Sequence, residues 1–313
     1  MSIEHTPVLL KESLQALSLS DGKIVLDCTF GRGGHSRAFL QSVGREGRVI
    51  GLDVDESAAE AALALATDYP GGRFTFVPLN FRNLDVALHM AGVARVDAVF
   101  FDLGVSSPQF DEGGRGFSYW HDAPLDMRMG LSQTLTAAEI VNTYSEDRLT
   151  SILHDYGEER WARRIAKFVV SARAESPLVT TGQLVEIIKA AVPKDVRTAE
   201  AQHPARRTFQ ALRIAVNDEL EALEMALQKA VEALKPGGRM ACISFHSLED
   251  RIVKKFMQAQ SLRCSCPPGI PQCICNTTPL LATERRKPIL PTSEEISENP
   301  RARSAKLRVA TRL

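Results

Sequence analysis

Long apolar runs are missing from this chain. Nothing in it approaches the roughly 20 consecutive apolar residues that a membrane span needs. A net charge is missing too: 38 Lys and Arg stand against 38 Asp and Glu in 313 residues. The total charge therefore gives no sign of an acidic or basic partner. Aromatic residues are scarce at 6%, and six Cys in so long a chain exclude a disulfide-stapled miniprotein. With 44% hydrophobic and 24% charged residues, the composition excludes a disordered chain or a collagen-like repeat and fits an ordinary globular protein. The first residues, Met-Ser-Ile-Glu-His-Thr-Pro, lack the basic-then-apolar profile of a secretory signal. The expectation is a cytoplasmic protein with reduced thiols and no membrane partner.

The zero sum conceals a segregation. Residues 251–313 carry 12 basic and 4 acidic side chains, against 26 and 34 in the first 250. A basic tail on an acidic body suggests a polyanionic partner, with a solvated tail as the alternative.

The first hundred residues alternate strand and helix signals. Short apolar runs over 24–30, 48–52, 73–77 and 96–101 are separated by helical patterns. That rhythm predicts an α/β fold with a parallel sheet covered on both faces. It breaks at Pro108, and helical patterns replace strands as far as about Gln202. Thr136-Ala-Ala-Glu139 and Thr180-Thr-Gly-Gln183 fit the capping box, and Gly157 sits where a helix C-cap takes a left-handed residue. The expected organisation is a sheet domain over 1–107 and 204–313, with an inserted all-helical domain over 108–203. A long helix from Pro204 towards Leu234 is expected to end at Lys235-Pro236-Gly237-Gly238. A fifth strand follows over 239–245 and a last, edge-type strand over 306–312.

Strand, glycine turn, helix and an acid closing the next strand make a nucleoside-binding pattern. Glycines admit a ligand close to the backbone, and an acid about 20 residues on accepts ribose hydroxyls. Here Gly33 and Asp53 are 20 positions apart. A nicotinamide oxidoreductase is disfavoured because Gly31-Arg-Gly-Gly-His35 lacks the third dinucleotide glycine. Asp27, Asp53 and Asp102 at three strand ends suit a ligand with a ribose, an ammonium and a sulfonium, as in S-adenosylmethionine. After the fourth strand, Ser106 and Ser107 are candidate acceptors for an exocyclic amine, which is a poor nucleophile until it is oriented. A plain Ser-Ser-Pro turn is the competing reading.

These residues bring the chain to a recognisable pattern. It resembles the bacterial 16S ribosomal RNA (cytosine-N4) methyltransferase family (MraW/RsmH). The matching strings include Thr29-Phe-Gly-Arg-Gly-Gly-His35, Asp102-Leu-Gly-Val-Ser-Ser-Pro-Gln109 and Pro124-Leu-Asp-Met-Arg-Met129. They continue with Tyr156-Gly-Glu-Glu-Arg160, His203-Pro-Ala-Arg-Arg-Thr-Phe209, Ser244-Phe-His-Ser-Leu-Glu-Asp-Arg251 and Asn299-Pro-Arg-Ala-Arg303. The resemblance implies a Rossmann-like class I methyltransferase sheet with an inserted helical domain. It also implies methylation of N4 of one cytidine near the decoding site, using S-adenosylmethionine. Carried over by motif, Gly33, Gly34 and His35 contact the cofactor, Asp53 its ribose and Phe81 its adenine, while Asp102 and Gln109 complete the pocket. Asp102, Ser106 and Ser107 are the candidate catalytic residues, Asp102 or solvent taking the N4 proton. The alternative is an RNA-binding assembly factor of the same fold without turnover.

The expected partner is 16S rRNA in the small ribosomal subunit, met by a monomer or homodimer. Its footprint is read in Arg160, Arg163, Arg164 and Lys167, in Arg206, Arg207 and Arg213, and in Arg301, Arg303, Lys306, Arg308 and Arg312. Phe117, Tyr119 and Trp120 either stack on an unpaired base or pack the insert, and packing is favoured for Trp161. No metal is assigned. Cys264-x-Cys266 and Cys273-x-Cys275 offer four thiols on a tight loop that could bind zinc, though zinc pairs usually have two to four intervening residues; reduced thiols or a redox-sensitive loop are the alternatives.

Overall fold

The computed structural model describes residues 7–105, 113–130, 133–195, 203–264, 266, 275 and 277–313. They fall into two compact units, Met1–Gly104 with Leu220–Leu313 and Val105–Glu219.

The first unit is built on a seven-stranded sheet. Its strands are β1 (Ile24–Asp27), β2 (Arg48–Leu52), β3 (Phe74–Val77), β4 (Val96–Asp102), β5 (Leu234–Ser244), β6 (Leu281–Ala282) and β7 (Lys306–Arg312). Their order is β3-β2-β1-β4-β5-β7-β6. The first five are parallel, and β7 runs antiparallel to both β5 and β6. Side chains alternate across the sheet with the strand period of two. Val25, Ala98 and Phe100 enter one core, while Leu26, Val99 and Phe101 enter the other.

Helices α1 (Leu10–Leu17), α2 (Gly34–Ser42) and α3 (Ala58–Asp68) cover the first face with Leu17, Phe39, Leu40 and Leu65. Helices α4 (Leu84–Met90), α10 (Glu219–Ala233) and α11 (Ser247–Gln260) cover the other with Leu84, Leu223, Leu227, Val253 and Met257. Burial on both faces explains why the strands read as apolar runs.

Two details differ from the sequence reading. Lys306–Arg312 is not an edge strand, because the two-residue β6 pairs with its outer side. The turn at Lys235–Gly238 is absorbed into β5 as an irregularity, where the register passes from Val96↔Leu234 to Ala98↔Arg239. Pro236 has no N–H to give the ladder, which is why pairing is interrupted there.

The second unit is helical. Helices α5 (Ala137–Thr143), α6 (Glu146–Gly157), α7 (Ala162–Glu175), α8 (Thr181–Ala191) and α9 (Arg206–Asn217) surround a core of Ile140, Leu153, Ile165, Ile188 and Leu212. Thr180 and Gln183 form the complete capping box at the start of α8, and Thr136 accepts the N–H of Glu139 at the start of α5.

The helix expected from Pro204 to Leu234 is two helices. Asp218, in the left-handed region at φ 51°, ends α9 before α10 begins. Phe209, Leu212 and Val216 on α9 belong to the helical core, so this unit runs to Glu219 rather than ending at 203. The sequence pattern continues through Asp218 because both helices keep an apolar face.

Gly157 also has a different task from the expected one. It is the last helical residue of α6, and Glu158 takes the left-handed position at φ 48°. A Cβ on Gly157 would lie 2.7 Å from the main-chain oxygen of Arg207, so only glycine lets α6 and α9 approach this closely. Gly157→Ala is expected to destabilise this unit. Helix propensity gains about 1 kcal/mol, but overpacking against rigid backbone costs about 1–3 kcal/mol. Both Trp of the chain, Trp120 and Trp161, lie in this unit. A fall in the urea midpoint of Trp fluorescence would show the effect, and an unchanged midpoint would refute the packing argument.

Candidate active site at the sheet edge

In the sheet order, β1 is flanked by β2 on one side and β4 on the other, and all three run the same way. The chain leaves β1 in one direction and later returns to its other side. A crevice therefore opens at the carboxyl ends of these strands, the usual ligand position in such sheets. Asp27 ends β1, Asp53 follows β2 and Asp102 ends β4. Three acids far apart in sequence thus share one edge.

Each acid is held differently. Asp27 is fully buried, and its carboxylate accepts the Ser36 hydroxyl at 2.7 Å and the Thr29 N–H at 3.2 Å. Burial pushes its pKa up to about 6 against those two bonds, with the Asp53 charge adding to the rise. Asp53 accepts the N–H of Gly31 at 2.7 Å on one oxygen and that of Asp55 at 2.9 Å on the other. Burial raises its pKa as well. A carboxylate has about four acceptor positions, and the N–H groups of Asp55, Gly31 and Val54 take three of them, leaving room for a further donor.

Asp102 is the least satisfied of the three. Its side chain is 27% exposed, yet its Oδ1 is buried with no hydrogen-bond partner among the described residues. Burial, then the charges of Asp27 and Glu249, push its pKa up to about 8. A carboxyl group in this position calls for a cation or a donor beside it.

The glycine turn meets the same edge. Gly33, at φ 76°, is the N-cap of α2, and a Cβ there would lie 2.7 Å from the Phe30 ring. The α2 N-terminus has no side-chain cap hydrogen bond, so the helix start presents main-chain N–H groups, which favour a negatively charged group.

His35 follows Gly34 but turns its ring inward. It is 6% exposed, packs against Phe100 at 4.5 Å and pairs through Nε2 with the Val8 carbonyl at 3.2 Å. Burial lowers its pKa to about 4, so it is neutral at ordinary pH. With Nε2–H donating to Val8, its Nδ1 faces Asp102 Oδ2 at 3.6 Å, too far for a hydrogen bond. What His35 can offer a ligand is main chain rather than imidazole. Phe81, half-buried after β3, packs edge-to-face on Phe101 with centroids 6.0 Å apart.

Ser106, Ser107 and Gln109 lie outside the described residues, as does Cys273. Cys28 and Cys242 are core residues, and burial pushes both thiols up.

Two members of the site carry no role in the sequence reading. Thr29 accepts the Asp102 N–H on its hydroxyl at 2.6 Å, tying β1 to the end of β4. Glu249, 3% exposed, accepts the N–H groups of Phe245 and His246 and completes a capping box with His246 at the start of α11. Its signal is the acid three places after His246, a spacing that marks a helix start. His246 is not one of the usual capping residues, which hides that signal.

The sequence profile of the MraW methylase family matches residues 2–313. The chain belongs to this family. A ribosomal RNA small subunit methyltransferase H from Symbiobacterium thermophilum is 51% identical over 313 residues, spanning 100% of this chain and 98% of that one. Proteins of the same name from Heliobacterium modesticaldum and Finegoldia magna are 51% and 46% identical, each over the whole of both chains. Membership in a methylase family and a Rossmann-like sheet with a charged carboxyl edge point to the same chemistry.

The carboxyl edge has a cost that is visible in pH. Asp27 and Asp102 have folded pKa values of about 6 and about 8, above the ordinary 3.8. Their contribution to stability is full below about pH 4 and is lost as pH rises through those values. The ligand-free Asp102→Asn variant is expected to lose less stability than the parent between about pH 6 and pH 9. Parallel thermal melts across that range would refute the assignment if they fall equally.

Proposed function

We propose that this protein transfers a methyl group from S-adenosylmethionine to the exocyclic N4 of a cytidine in 16S ribosomal RNA, near the decoding site. The observation that carries the reading is the buried oxygen of Asp102 that has no partner among the described residues, at the sheet edge it shares with Asp27 and Asp53. S-adenosylmethionine, when bound, supplies an electrophilic methyl group on a sulfonium and also brings an ammonium and a ribose. Asp102 fits the cationic end, Asp53 with its remaining acceptor capacity the ribose, and Phe81 the adenine. Main-chain groups of Gly33, Gly34 and His35 meet the amino-acid end, with Gln109 assigned to the same pocket.

At neutral pH Asp102 holds a proton in the ligand-free protein, since its pKa is pushed up to about 8. A cation alongside would favour the carboxylate form of Asp102. As a carboxylate it can then accept a proton from the N4 amine. Ser106 and Ser107 remain assigned as acceptors that orient this amine. Holding the nucleophile in line supplies much of the barrier reduction in such a transfer, about 7–11 kcal/mol at best. The RNA is met in the cytoplasm as part of the small subunit, by a monomer or homodimer, with the cytosine swung out of its stack.

The deciding experiment is methyl transfer to small-subunit RNA from cells lacking this modification, with modified nucleosides mapped by mass spectrometry. N4-methylcytidine at a single site is expected. Absence of transfer while the protein still binds S-adenosylhomocysteine would leave a binding factor and overturn the enzyme reading. Asp53→Ala is expected to weaken S-adenosylhomocysteine roughly 10- to 100-fold in calorimetry, the value of a hydrogen bond to a charged group.

The RNA surface proposed for the helical unit is its basic helix. Arg160, Arg163, Arg164 and Lys167 are exposed along the start of α7 and line a shallow depression with Trp161 and Glu146. Trp120 is 71% exposed, and Tyr119 stacks on His203 at 4.7 Å. Phe117 is buried in the helical core and is not available for stacking on a base. Arg163→Glu with Lys167→Glu is expected to weaken RNA binding while leaving S-adenosylhomocysteine affinity intact. The slope of log affinity against log salt should fall by roughly 0.7–0.9 for each phosphate that is no longer neutralised. An unchanged slope would place the RNA elsewhere.

A further inference from the structure

Helix α11 ends at Gln260, and the next strand, β6, begins at Leu281. The excursion between them is closed at its base, where the N–H of Leu280 donates to the Gln260 carbonyl at 2.9 Å. Among its described residues none is buried, and Leu262 is 49% exposed. An apolar core therefore does not hold the described part of this loop together. Its sulfurs nonetheless converge. The Sγ atoms of Cys264, Cys266 and Cys275 all lie within 4.8 Å of one another, with Cys264 and Cys275 at 3.8 Å. These residues are thiols, not half-cystines.

That spacing has a chemical meaning. Zinc–thiolate bonds of about 2.3 Å at tetrahedral angles place neighbouring sulfurs about 3.8 Å apart. The N–H of Cys266 also points at the Cys264 sulfur, 3.4 Å away, as main-chain donors do around metal-bound thiolates. Three soft sulfur donors exclude magnesium and calcium, which take oxygen. Metal binding converts such thiols to thiolates, and the cation then offsets the repulsion among them.

We propose that Cys264, Cys266 and Cys275 bind one zinc ion, which closes the 261–279 excursion as a structural clamp. Three sulfurs supply three corners of a tetrahedron, and the fourth is left to a further donor. The clamp is independent of methyl transfer. The carboxyl edge needs no metal, because the amine is itself the nucleophile.

The test uses the full chain without a metal-binding tag, purified under reducing conditions from zinc-supplemented medium. Elemental analysis is expected to give about one zinc per chain, and Cys264→Ser or Cys275→Ser to lose it together with several degrees of thermal stability. Cobalt added to the wild-type protein after zinc removal should give thiolate-to-cobalt charge-transfer absorption, a readout that stands if the variants fold poorly. Lack of stoichiometric zinc in wild-type protein both before and after reconstitution would overturn the proposal. So would iron in its place, or zinc retained by both variants.

Discussion

Carboxyl groups forced together at a buried sheet edge govern how this site is built. Parallel pairing of β1 with β2 on one side and β4 on the other brings Asp27, Asp53 and Asp102 to a common end. Such a cluster opposes folding, since burial and mutual repulsion both act against the charged forms. The structure tempers this unevenly: Ser36 and Thr29 serve Asp27, the glycine turn serves Asp53, and one Asp102 oxygen has no partner among the described residues. An apolar residue at Asp102 would relieve the repulsion. An acid there has its use when a cationic ligand arrives, and the raised pKa measures how strongly the site is poised for one.

The surrounding elements explain why the edge keeps its form under this load. Both faces of the sheet are sealed by helices, so β1 and β4 cannot shift to separate their acids without opening two cores at once. Thr29 links the two strands at the point of greatest repulsion. Neutral His35, locked between Phe100 and the Val8 carbonyl, fills space beside Asp102 without supplying a countercharge. A protonated histidine there would satisfy Asp102 internally and remove its need for a ligand.

Charge elsewhere in the molecule has structural partners of its own. Lys306 and Arg308 in the basic tail pair with Asp250 on α11 at 3.2 and 2.6 Å, and Arg312 donates to the Leu280 carbonyl. Part of the segregation of positive charge towards the end of the chain is therefore structural, fastening β7 and its neighbours. The basic residues at the start of α7 are exposed around a shallow depression, and Arg164 there also lies over the Phe168 ring. Counting basic residues by sequence segment merges these two populations, and only their surroundings separate them.

The alternation of strands and helices, the glycine turn, the strand-end acids and the family are all legible in the order of amino acids alone. Those features are local: apolar runs, capping signals and short motifs are read within a few residues of one another. Whatever depended on distant neighbours was settled by packing. Packing ended α9 at Asp218, drew that helix into the helical core and made Gly157 a point of close approach to Arg207 rather than a cap. It buried the His35 ring beside Asp102 and brought in Glu249 as a further negative charge. The same motif residues could be recognised one by one, but pKa and partner are properties of three-dimensional proximity, set by which strands lie side by side.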